Sequence, residues 1–194
     1  MTKYLLLAAI TILSACNNAN PATEKPAATP AAATEEKPSF IPVTSFIKGQ
    51  VIEIAQRGIA PMKIITVNDH SDSAFVKFDA LTDLLNEFEQ PRIDSVNLVP
   101  FFSESKFKDE TIDAFTFTYS PKAQVPDSIP LSQWTVYIDP ETGKIKRVYI
   151  VKKRGADLLQ LTWQSNEWCQ VTTISNPAGG ASKIEKEEKV LWVY

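Results

Sequence analysis

The sequence predicts an α+β domain: two N-terminal helices packed on one face of an antiparallel meander sheet. Three observations predict it. Two stretches between positions 44 and 91 carry apolar residues at helical spacing. From about position 114 the apolar period falls to two, in runs rich in β-branched and aromatic residues. Pro, Gly, Asn and Asp punctuate those runs at short intervals, as a succession of hairpins requires. A hydrophobic content of 44% with 10% aromatics supplies a packed core. The formal charge of −3 gives no general attraction to nucleic acid.

The chain opens with Lys3 and then an apolar run from Tyr4 to Leu13. Ten residues are too few to cross a hydrocarbon layer of ~30 Å, which takes about 20 in a helix. A basic start, a short apolar run and small residues after it make a secretory signal. The run ends in Leu13-Ser14-Ala15-Cys16, which resembles the lipobox of bacterial lipoproteins. That resemblance implies a signal peptide over 1–15, thioether diacylglycerol and further acylation on Cys16, and anchoring in the cell envelope. Two or three acyl chains, at ~0.8 kcal/mol per buried methylene, hold a domain stably. Asn17 stands where Asp would favour retention in the inner membrane, so the resemblance implies the outer membrane. Residues 16–39 are rich in Pro, Ala, Thr and Glu, with no large aliphatic or aromatic side chain, and read as a disordered tether. A single folded domain is expected over 40–194.

Within that domain, "TSFIKGQVIEIAQRG" reads as a helix capped by Thr44 or Ser45, with Ile47, Val51 and Ile54 on one face and Gly58 as its stop. "PMKIITVND" and "AFVKF" read as short strands around a turn at "HSDS". "DALTDLLNEFEQP" is the second helix, capped by Asp79, with Leu81, Leu84, Leu85 and Phe88 on one face and Pro91 ending it. "AFTFTYS" alternates as a strand. "QWTVYIDPETGKIKRVYIVKK" is a hairpin about Asp139–Gly143, and "LLQLTWQSNEWCQVTTIS" a second about Ser165–Asn166. "KVLWVY" is the final strand, and "KIEKEEK" before it reads as the solvated edge of a sheet. "YIDPETGKIKRVYI" resembles a hairpin of secreted PepSY and β-lactamase-inhibitor-like domains. The order of lipobox, Pro/Ala spacer, helices and meander resembles uncharacterised envelope lipoproteins of Bacteroidota-type bacteria, a likeness that implies no activity.

Residues with chemical potential are sparse. His70 is the only histidine, in a polar "NDHSDS" stretch with no second His or Cys to complete a zinc shell. Cys169, between Trp168 and Gln170, reads as a small buried residue; with Cys16 acylated it has no disulfide partner. Phosphate loops and nucleophile elbows are absent from the sequence. The carboxylates Glu104, Asp109, Glu110 and Asp113 read as loop charges. The expectation is therefore a protein without a cofactor, a metal or an enzymatic activity.

Function then rests on surfaces. Phe115, Phe117 and Tyr119 share a strand face, as do Leu159, Leu161 and Trp163, then Trp168, then Val190, Trp192 and Tyr194. Facing the helices, these residues are core. Facing away or around a cavity, Phe115, Phe117, Trp163 and Trp192 would line a groove for an apolar ligand. The expected function is a membrane-anchored, non-catalytic module that binds an envelope protein or peptide. The alternative is a carrier or sensor of a lipid-like ligand held between helices and sheet, as in the lipoprotein-sorting proteins.

Overall fold

The computed structural model describes residues 40–175 and 181–192. The expected signal peptide over 1–15, the expected lipidation at Cys16, the expected tether over 16–39 and Tyr194 lie outside the described residues.

The expected pair of helices on a meander is not what the structure shows. The domain is dominated by one antiparallel sheet of nine strands in the order β2-β1-β9-β8-β7-β6-β5-β4-β3. Its strands are β1 (Met62–Val67), β2 (His70–Phe75), β3 (Phe102–Asp109), β4 (Ala114–Pro121), β5 (Leu131–Ile138), β6 (Ile145–Arg154), β7 (Asp157–Gln164), β8 (Trp168–Ser175) and β9 (Lys183–Leu191). One full helix, α1 (Val43–Gln56), and one of two turns, α2 (Thr82–Glu89), accompany it, with a 3-10 turn at Phe78–Leu81 and a single turn, α3 (Ser95–Leu98). The hairpin between α1 and α2 does not separate two stacked helices. It joins the sheet, because β1 pairs along β9 from Met62↔Leu191 to Val67↔Lys186.

Local chemistry explains most boundaries. α1 follows Pro42 and lacks a side-chain cap. The expected cap Thr44 is buried, and its Oγ1 accepts the Ile93 N–H at 2.8 Å, tying the first turn of α1 to the segment after α2. Gly58 ends α1 at φ +66°, a conformation only Gly adopts without strain. The β1–β2 turn is Asn68–Asp69, both at positive φ, the signature of a two-residue primed turn. "HSDS" therefore belongs to β2 and not to the turn. Between β5 and β6, Asp139 Oδ1 accepts from the Thr142 N–H (2.8 Å) and hydroxyl (2.9 Å), and Gly143 takes φ +67°.

The core lies between α1, α2 and one face of the sheet. Trp134 stacks on Tyr119 with ring centroids 4.7 Å apart, and Phe102 and Phe40 close on the same indole. Further along, Phe88 of α2 meets Trp163 edge-on at 5.4 Å, and Trp192 lies 5.1 Å from Trp163. The predicted stripe Leu81, Leu84, Leu85 and Phe88 is buried throughout. Lys152 enters this face from β6. Its Nζ donates to the Glu87 and Gln90 carbonyls (2.6 and 2.7 Å) and meets the Glu87 carboxylate at 2.6 Å. The ammonium thus spends its three protons on the C-terminal end of α2, where a cation also complements the helix dipole.

β9 is not the solvated edge that its charges indicate. It is a central strand between β1 and β8. Glu188 bridges Lys63 and Lys186, each at 2.9 Å. Burial pushes the Glu188 carboxyl up, but the hydrogen bonds from Lys186 and Lys63 outweigh it and hold the group below its ordinary 4.5.

Two measurements check this packing. Trp163→Ala should cost about 3–5 kcal/mol in urea unfolding, whereas Phe115→Ala, at a half-open position, should cost under about 1 kcal/mol. A carboxyl depressed by folding stabilises above its ordinary pKa, and that contribution disappears as pH falls through its folded value. The stability advantage of wild type over Glu188→Gln should therefore be full at pH 7 and shrink as the pH drops below about 4.5, read from urea midpoints.

Candidate functional site

The four residues expected to line a groove do not come together. Trp163 is fully buried and Trp192 nearly so, packed on one another and, for Trp163, on Phe88. Between α2 and the sheet, the Phe88 ring packs edge-on against Trp163. Phe117 is half-buried at the margin of the core, and Phe115, 42% exposed, stands beside the β3–β4 turn. Trp168 does not share their face. It pairs with Gln164 and Leu191 in register, which puts Cys169 inward and Trp168 on the opposite side.

The other singled-out groups have structural duties. Cys169 is fully buried, and desolvation pushes its thiol far above the usual range, so it stays protonated. His70 opens β2 on the surface, its Nδ1 2.9 Å from the Asn68 carbonyl oxygen. Glu104 accepts the Phe40 N–H at 3.2 Å, fixing the entry to the domain. Asp109 accepts from the Thr111 hydroxyl and N–H within the β3–β4 turn, and Lys108 bridges Glu110 at 3.1 Å.

The surface with chemical character is the face of the sheet turned away from the helices. Alternation along β5–β8 puts Trp134, Val136, Val148, Ile150, Leu161 and Trp163 inward, all buried. The residues between them face out, and the pairings arrange them in rows across the strands. One row runs Phe107, Thr116, Tyr137, Arg147, Gln164, Trp168, Leu191, Met62, Phe75, one residue per strand over the whole sheet. Its ends are open, with Phe107 55% and Phe75 65% exposed. The next row holds Thr118, Thr135, Tyr149, Thr162, Gln170 and Lys189.

This face is organised by aromatic–cation pairs. The Arg147 guanidinium lies 6.0 Å from the Tyr137 ring centroid while its Nε donates to Gln164 Oε1 at 2.8 Å. Lys189 Nζ lies 4.4 Å over Trp168. Burial raises the Tyr149 phenol, and Tyr137 nearby adds to the shift, so it remains a neutral donor at neutral pH. Gln170 and Thr172 both donate to Glu187 Oε1, at 3.1 and 3.3 Å. Beside Tyr137 and Arg147, Ile112 and Lys146 frame a depression of about 270 Å³, closed by a bond from Lys146 Nζ to the Ile112 carbonyl at 3.2 Å. Preset Tyr, Trp and Arg side chains on a firm sheet are the groups that carry binding energy at protein interfaces.

Sequence reasoning passed over Tyr137, Arg147, Tyr149 and Lys189. The signal was the second half of each alternation: between the apolar residues of "WTVYI" and "KRVYIV" stand Thr135, Tyr137, Arg147 and Tyr149. Comparison with known protein families, with characterised proteins and with solved structures returned no match.

Burial of Cys169 has a direct readout. In a Cys16→Ala chain, a maleimide at pH 8 should leave native protein unmodified over the time in which the urea-unfolded protein reacts to completion, followed by intact mass.

Proposed function

We propose that this chain is a membrane-anchored, non-catalytic envelope lipoprotein whose open sheet face binds a protein or peptide. The lipid on Cys16 and the Pro/Ala/Thr/Glu tether would hold the domain several nanometres from an outer-membrane surface. The observation that carries the binding assignment is the outward row through Tyr137, Arg147, Gln164 and Trp168, with side chains preset by cation–π contact and hydrogen bonding. Fixing those rotamers before association lowers the entropy lost on binding. The lipid-carrier reading draws no support from Trp163 and Trp192, which pack on one another and, for Trp163, on Phe88.

Both halves of the proposal are testable in one host. Expressed in a Gram-negative bacterium, the wild-type chain should show an acylated mass and fractionate with the outer membrane, and Cys16→Ala should show neither. An Arg147→Ala/Trp168→Ala variant should keep the anchor and the fold but lose the envelope protein that crosslinks to wild type. Equal crosslinking by both would move the binding surface elsewhere.

A further inference from the structure

The inward face of the sheet changes character beyond the Trp163 cluster. Where α2 passes over β1, β6, β8 and β9, a cleft of about 300 Å³ opens, and its walls are charged. Lys63, Arg154 and Lys186 line it, with the carboxylates of Glu87 and Glu188 and the Thr173 side chain among them. Leu84 and Val171 contribute apolar surface.

Each of those two carboxylates serves two cations. Glu188 is shared by Lys63 and Lys186, and Glu87 by the buried Lys152 and Arg154. With Asp83 also in the wall, the cleft lining carries three cations, Lys63, Arg154 and Lys186, against three carboxylates, Asp83, Glu87 and Glu188. Lys152 has no proton to spare. Arg154 does: its contacts with Glu87 Oε1 and Thr173 Oγ1 are both long, at 3.4 Å, and half of its side chain is open to solvent. A guanidinium held this loosely presents its planar fork to an incoming oxyanion.

From the cavity, the loosely held Arg154 fork within it and its partly apolar wall, we infer that this cleft binds a small organic oxyanion, a carboxylate or phosphate ester on a short aliphatic body. Arg154 takes the anionic group in a forked contact, and Lys63 and Lys186 supply the surrounding charge. The Thr173 hydroxyl adds a hydrogen bond, and Leu84 and Val171 cover the carbon skeleton. The volume stands at the lower end of small-molecule sites, which limits the ligand to a few heavy atoms beyond its anionic group. This site lies on the opposite side of the sheet from the aromatic row and does not depend on it.

The test uses the full-length chain in detergent, titrated calorimetrically with inorganic phosphate and, separately, with succinate at an ionic strength held constant with sodium chloride. Saturable one-to-one binding of either probe is expected. Phosphate alone would identify a phosphate ester, and succinate alone a carboxylate. Arg154→Gln should weaken the affinity by at least about tenfold, and Asp83→Asn, which removes a repelling charge, should tighten it several-fold. The second variant reports on the cleft even if the first disturbs the end of α2. Absence of saturable binding by both probes, or identical affinities in wild type and both variants, would overturn the assignment.

Discussion

The arrangement of helix on sheet depends on Lys152. It is the one charged side chain buried among the described residues, and it is buried because every proton on its ammonium has an acceptor. An unpaired ammonium at that depth would cost several kcal/mol. The three acceptors are supplied by the last turn of α2 and the residue after it. α2 has only eight residues, too few to persist as an isolated helix in water. The sheet thus supplies, through one side chain, the termination that the helix needs, and the helix supplies the solvation that the lysine has lost. Leu84, Leu85 and Phe88 reach the core in the orientation this contact sets.

The two faces of the sheet follow from that constraint. On the covered side, apolar rows pack against the helices until the cover runs out beyond α2, and charge begins there. On the open side, small and amphipathic side chains stand in ordered rows. Thr116, Thr135 and Thr172 on this side are buried. Such a surface is firm before any partner arrives, a property that distinguishes it from a loop-built site.

Much of the local structure was legible in the sequence, for physical reasons that also mark where legibility stopped. The stripe from Leu81 to Phe88, the Asp139–Gly143 hairpin and the stop at Gly58 depend on neighbours within a few residues. Their outcome was determined locally. β3 was not legible because its "SESKFKD" stretch lacks alternation. It forms on the register offered by β4, from Phe102↔Pro121 to Asp109↔Ala114. The "KIEKEEK" stretch was misread for the same reason. Six charges in seven residues describe a solvated edge unless partners distant in the chain neutralise them, and Lys63 does so for Glu188. Trp168 was assigned to the wrong side because the turn at Ser165–Asn166 sets its parity, and a shift of one residue inverts a strand. The open face escaped notice as a site because its residues are the polar half of each strand, the half that sequence reading treats as solvent filler.

β9 lies between strands from opposite ends of the folded region. The seven strands from β3 to β9 follow one another, so each can add to its predecessor through a short loop. The β1–β2 hairpin is different. It forms locally across Asn68–Asp69, yet its only neighbour in the sheet is more than roughly a hundred residues downstream, a separation that slows folding through the entropy of loop closure. Loop-closure entropy therefore favours growth of the meander ahead of docking by the early hairpin. Without that hairpin β9 would be an edge strand, and dense charge on an edge disfavours pairing with another chain. The charges that look misplaced in the centre of the sheet are the kind that suit a strand at its margin.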